Sequence, residues 1–137
     1  MQVYREILVT MDCSPVDRVI VEHVARLAQQ NQARVTLLHV IHSHTLDQER
    51  ALRSKAEAAL QAHEVELRAR GVETRIVLRS GEPEKQVLSE IEAGGYDLVA
   101  MATHGHRFMA DALFGSVSRS VKHHIRVPLL LLRADAL

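Results

Sequence analysis

Gly105 follows the apolar run Leu98-Val99-Ala100-Met101-Ala102, and after nine intervening residues Gly115-Ser116 precede a helical segment. A residue without Cβ just past a strand lets the backbone turn sharply and approach a ligand. The free N–H groups and positive dipole end of the following helix, with the Ser116 and Ser118 hydroxyls, would cradle a phosphate without any basic side chain. Each half alone is ordinary usage, a turn glycine and a helix cap. Joined at this spacing after a strand, they point to phosphate chemistry. Phe108, Met109, Ala112 and Leu113 read instead as a helical turn packed on the core. Asp12, after the run Ile7–Met11, offers a complementary group: a carboxylate at a strand end can accept from ribose hydroxyls or an adenine amino group. The same carboxylate would equally serve an Asx-turn or an additional cap for the next helix.

Nine histidines raise a metal reading. His39, His42 and His44 form H-x2-H-x-H, but a strand running into a loop projects imidazoles in different directions, and no cysteine or carboxylate spacing supports a closed zinc site. Partly exposed histidines, with His39 in the core wall, are the favoured alternative, and no metal ligands are assigned. His104 and His106 flank Gly105 and would contact phosphate when protonated, making binding sensitive to pH near neutrality. Cys13 precedes a helix N-terminus, a position that lowers a thiol pKa; a lone thiol without a resolving partner otherwise reads as a bystander. There is no G-x4-G-K-[ST] loop, and no lysine between Gly105 and Ser118 to stabilise a departing γ-phosphate, which disfavours an ATP-using enzyme.

Five short apolar runs must position these groups: Ile7–Met11, Val35–Ile41, Thr74–Leu78, Leu98–Ala102 and Val127–Leu132. Most are continuous rather than alternating, as expected of strands covered on both faces. Glu73, Arg75 and Arg79 place the third nearer a sheet edge. Between the runs lie helical patterns. From Pro15 to Gln30 an apolar stripe recurs at 3.6-residue spacing, with Ser14 as the expected N-cap and Asp17 completing an S-x-x-D signature. A second helix runs from Leu46 to Arg70, opened by Thr45-x-x-Gln48 and stopped by Gly71; its charged residues, Lys55 among them, read as a solvated face. A third follows Pro83 and ends at Gly94-Gly95, and a fourth spans Ser116 to His124. The order βαβαβαβαβ predicts a parallel sheet between helices, with ligands at the carboxyl ends of the strands.

Composition narrows the rest. The 137 residues, 47% hydrophobic, suit one domain over 1–137, and 17 basic against 17 acidic residues leave no field to attract nucleic acid. Two Tyr, two Phe and no Trp are too few aromatics for a base-stacking surface, so no nucleic-acid partner is expected. One Cys excludes an internal disulfide and fits a reducing compartment. The longest stretch free of Asp, Glu, Lys and Arg, Val35–Leu46, is shorter than the roughly 20 apolar residues that cross a bilayer. No signal peptide is visible, and the expectation is a cytoplasmic protein without membrane insertion.

The run Ile7–Ser14, the block Leu37-Leu38-His39-Val40-Ile41, the G-x9-G-S spacing from Gly105 to Ser116, and the closing Val127–Arg133 together resemble universal stress proteins. The resemblance covers essentially the whole chain. It implies an open, Rossmann-like α/β fold with five parallel strands ordered 3-2-1-4-5 and four flanking helices. Similarity to the nucleotide-binding branch implies that Asp12 contacts ribose or adenine, the Val40 backbone meets the adenine edge, and Met101 lines its pocket. Gly105, Gly115, Ser116, Val117 and Ser118 would hold the phosphates of ATP or another adenine nucleotide, with magnesium or manganese carried on those phosphates. It also implies a homodimer through the last strand, Val127 to Leu132, and a regulatory role with an unidentified protein partner. Three departures stand out: Ala102 replaces the first glycine of the branch's loop pattern, Thr10 a common proline, and Cys13 a common glycine. The Ala102 methyl would crowd the ribose or phosphates if its backbone adopts φ > 0. The alternative is a dimeric scaffold that works without nucleotide.

Overall fold

The computed structural model describes residues 2–103 and 117–133. Strands β1 (Glu6–Thr10), β2 (Arg34–Ile41), β3 (Thr74–Ser80), β4 (Leu98–Thr103) and β5 (Leu129–Arg133) alternate with helices α1 (Asp17–Asn31), α2 (Leu46–Ala69) and α3 (Pro83–Gly94). Residues 117–124 are also helical. All strand pairs are parallel, and the sheet order is β3-β2-β1-β4-β5. The expected fold class and strand order are both present.

The continuous apolar runs are explained by burial on both faces. Ile7, Val9 and Met11 of the β1 segment pack with Ile20 and Val24 of α1 and Leu60 and Leu67 of α2. Leu8 turns the other way, joining Leu38, Val99 and Met101 under Val87 and Ile91 of α3 and Val117 and Val121. Successive strand residues point to opposite faces, so a strand covered twice is apolar at most of its positions. β3 forms one edge, as its arginines suggest, and carries no fully apolar face. Arg79 uses the edge position to donate to Glu90, buried on α3, at 2.9 Å. Among the described residues, no helix is long and apolar enough to cross a membrane.

Helix signals hold at α2 and shift at α1. Thr45 Oγ1 accepts from the Gln48 N–H at 3.1 Å, and the Gln48 side chain accepts from the His44 N–H at 2.8 Å, one residue before the usual capping-box target. At the other end Gly71, at φ +81°, gives its N–H to Arg68, and Val72 gives its N–H to Leu67. These two bonds form a Schellman stop. In α1, Ser14 is not the cap. The N-cap is Val16, and the Ser14 hydroxyl donates to Asp12 instead. Asp17 is buried and reaches back further than a capping box would, to the N–H groups of Asp12 and Cys13. The last strand begins at Leu129 rather than Val127, because Pro128 has no N–H; its carbonyl still accepts from Val99 at 3.0 Å.

Candidate functional site

Sheet order reverses between β1 and β4, the place where open α/β sheets bind ligands at their carboxyl ends. A cleft of about 340 Å³ opens on that edge over the carboxyl ends of β1 and β2, within the range of small-molecule sites. Its floor is the end of β1 with Met11, Asp12 and Cys13, and the end of β2 from Leu38 to Ile41. Its walls come from Leu52, Lys55 and Ala56 of α2, Pro83 and Val87 of α3, and Val117. β1 stops pairing with β2 at Thr10–Leu38, and the Met11 N–H closes on the Leu38 carbonyl at 2.7 Å. Strand backbones present alternate residues to the same neighbour, so Val40 turns its N–H and C=O the same way as Leu38, where β1 supplies no register partner. A donor and an acceptor side by side at the end of an apolar slot suit the edge of a planar heterocycle.

The turn from Asp12 to Ser14 forms one rim. Asp17 Oδ1 and Oδ2 accept from the Asp12 and Cys13 N–H groups, each at 2.8 Å. The Ser14 hydroxyl donates to Asp12 Oδ2 at 2.7 Å, so the carboxylate is held in place at the cleft. Asp12 thus lines the cleft, while the part of local cap that was its alternative falls to Asp17. Cys13 adopts φ +58°, the left-handed region in which glycine is at ease, so the glycine it replaces has a conformational reason. Its thiol is not activated. Burial, then the Asp17 and Asp12 charges, outweigh the nearby Lys55 ammonium and push the pKa up to about 12. At pH 8 roughly one thiol in ten thousand would be ionised. Native protein is therefore expected to resist iodoacetamide at that pH and to gain one adduct per chain only after unfolding, read by intact mass. Rapid labelling of the folded protein would refute that environment.

Asp12, Val40 and Val117 are brought together around the cleft. Ser118 is half-buried one residue beyond Val117. Met101 is fully buried on the sheet face that also carries Val40. Gly105, Gly115 and Ser116, and with them His104 and His106, lie outside the described residues. Ala102 differs from expectation. Cys13 and Gln32 are the non-glycine residues with positive φ among those described, and Ala102 is a regular strand residue paired with Leu132. Its methyl is buried with Val9, Met11 and Val16 in the core under α1. Ala102→Gly should thus cost about 1 kcal/mol through the lost methyl and the looser strand. Urea unfolding should show that loss, and ligand titration should show wild-type affinity. A tightened complex would restore the crowding argument.

Lys55, Leu52 and Ala56 were legible only as parts of a helix, a solvated charge and a core stripe. Lys55 is exposed, as a solvated charge should be, and it also lines the cleft wall. The usable signal was Leu52, an apolar stripe residue that remains 36% exposed because the stripe runs past the sheet into the cleft mouth. The histidines turn to backbone. His39 Nδ1 lies 2.8 Å from the Met11 carbonyl and therefore carries the proton; His42 Nδ1 lies 3.2 Å from the Gly81 carbonyl. His42 and His44 meet ring edge to ring face. Among the described residues no three His, Cys, Asp or Glu side chains gather where they could hold a metal ion.

A parallel sheet of reversing order with a slot over its carboxyl edge defines a doubly wound α/β protein of the Rossmann-like class. The chain belongs to the universal stress protein family, whose model matches residues 3–133. It is 28% identical over 134 residues to universal stress protein A homolog 1 of Coxiella burnetii, covering 88% of this chain and 90% of that protein. Among solved structures it resembles a universal stress protein in complex with cAMP, at TM-score 0.76 and 17% identity, covering 96% and 98% of the two chains. It also resembles the universal stress protein from Archaeoglobus fulgidus in complex with dAMP, at TM-score 0.72 and 19% identity, covering 95% and 98%. At those identities the structural likeness establishes the fold.

Proposed function

We propose that this protein is a non-enzymatic regulatory module that binds an adenine nucleotide, ATP foremost, in the cleft above β1 and β2. The observation that carries the reading is the Val40 backbone, turned into an apolar slot past the end of β1, with the Asp12 carboxylate on the rim. Base-edge recognition by Val40 and ribose recognition by Asp12 fit one ligand in one orientation. Gly105, Gly115, Ser116, Val117 and Ser118 then hold its phosphates, which carry magnesium or manganese, and Met101 belongs to the base side. The cAMP and dAMP complexes of structural relatives support an adenine ligand for this fold. Calorimetric titration with ATP, ADP, AMP and cAMP, each with and without magnesium, tests it. Saturable heat with at least one is expected, with no steady phosphate release from ATP. No heat with any of them would leave the nucleotide-independent scaffold.

The module acts as a homodimer through its last strand. Among the described residues β5 pairs with β4 alone and forms the second sheet edge, and Leu131 on it is 43% exposed. An apolar edge strand left open is a template for pairing with another chain, and a two-fold contact between β5 strands covers both edges at once. Light scattering at micromolar concentration should return twice the chain mass, and Leu131→Lys should shift it toward one chain. A monomeric wild type would refute the dimer without touching the cleft.

A further inference from the structure

Thr10 is the last residue of β1, it is 5% exposed, and it lines the cleft. Its Oγ1 is the buried side-chain polar atom that lacks a hydrogen-bond partner among the described residues. Strand alternation points it to the face shared by Leu8, and its register partner Leu38 faces the same way. The other cleft-lining residues of that face, Leu38, Val40, Val87 and Val117, are apolar. A hydroxyl in such a place is costly when unpaired, and valine would fill the same space without that cost. Packing therefore does not account for threonine at this position, whereas an occupant of the cleft does.

We propose that Thr10 is a specificity-determining residue, its O–H donating to a ring nitrogen of the bound purine. The proposal rests on the nucleotide reading of the cleft and deepens it. Val40 and Thr10 lie on one sheet face at the ends of neighbouring strands, so one planar base can meet the Val40 backbone at an edge and the Thr10 hydroxyl at a ring nitrogen. In the free protein the hydroxyl waits unpaired, and the ligand satisfies it. Stability of the free protein and affinity for the ligand then respond to its removal in opposite directions.

The test compares wild type with Thr10→Val, Thr10→Ala and Thr10→Ser, using thermal unfolding without ligand and calorimetry with ATP and AMP. Thr10→Val should melt a few degrees higher than wild type and bind roughly five- to tenfold more weakly, the loss of one neutral hydrogen bond. Thr10→Ala should bind as weakly as Thr10→Val, and Thr10→Ser should stay close to wild type. With 1-deaza, 3-deaza and 7-deaza adenine nucleotides, one analogue should lose the same factor on wild type and nothing further on Thr10→Val, the signature of a coupled pair. Wild-type affinity in both hydroxyl-free variants, or equal losses for every analogue on both proteins, would overturn the role of Thr10 while leaving nucleotide binding intact. Absence of binding by wild type itself would overturn both.

Discussion

Asp17→Ala is expected to lower the stability of this protein by about 3 kcal/mol, because it leaves two half-buried backbone N–H groups without their acceptor. No neighbouring group replaces the lost acceptors by simple relaxation, because Ser14 is already turned to Asp12. The effect also depends on pH. Burial is the largest influence on the Asp17 carboxyl and raises its pKa above the ordinary 3.8, against the two N–H donors that lower it. The folded state therefore holds the proton more tightly than the unfolded chain. Below the unfolded value both states are protonated and no penalty applies. As pH rises through the raised folded value, ionisation of Asp17 costs the folded state more than the unfolded one. The stability difference between wild type and Asp17→Ala should be largest below about pH 4 and should shrink toward neutrality. Urea midpoints for both proteins across that range measure it. A difference that grew with pH would mean the N–H donors outweigh burial.

Gly94→Ala should cost a comparable amount, about 3 kcal/mol, for a steric reason. A Cβ there would overlap the Tyr96 ring and stand 2.6 Å from its Cζ. The ring cannot move aside cheaply. Tyr96 is buried, its hydroxyl donates to Glu90 at 2.6 Å, and Arg75 donates to that hydroxyl at 3.2 Å. Arg75 also holds Thr36 on β2, and Arg79 holds Glu90, so the network ties α3 to β3 and β2. Burial and the bond to Glu90 also hold the Tyr96 phenol above its usual pKa. Overpacking and disrupted buried hydrogen bonds add in this case. Gly95→Ala is the control. That position has φ +67° and open space around it, so it should lose only about 1 kcal/mol from backbone strain. Equal losses at the two sites, measured by urea unfolding, would show that the Tyr96 ring has room to yield.

The pair Gly94-Gly95 shows how far a sequence carries. Both glycines read as a helix stop, and Gly95 is one: its positive φ ends α3. Gly94 is glycine because the ring of Tyr96, two residues on in the turn before β4, is buried against it, and that direction is set by packing under the sheet and not by the helix-stop pattern. The same division runs through the site. Asp12 could be placed at the cleft because it follows an apolar run, and open parallel sheets expose strand ends on one edge, whereas Val40 was placed there by the family resemblance. Ser14 and Asp17 were read as a local cap, but burial of Asp17 under the α1 face sent its carboxylate to the preceding turn.

By itself the sequence determined the strands and helices, their alternation and the strand ends at which a ligand can bind. These follow from periods of two and 3.6 residues, from caps and from turn glycines, whose free energies are set within a few residues of chain. Tertiary structure alone decided the environment of each group. It raised the Cys13 thiol rather than lowering it, because two carboxylates and burial outweigh the end of a helix. It put the Ala102 methyl into the α1-side core, brought Lys55 of α2 to the cleft wall, and left the Thr10 hydroxyl buried without a partner beside that cleft. Each of these depends on which distant segments the sheet order makes neighbours, and pairings between residues far apart in the chain leave no local pattern to read.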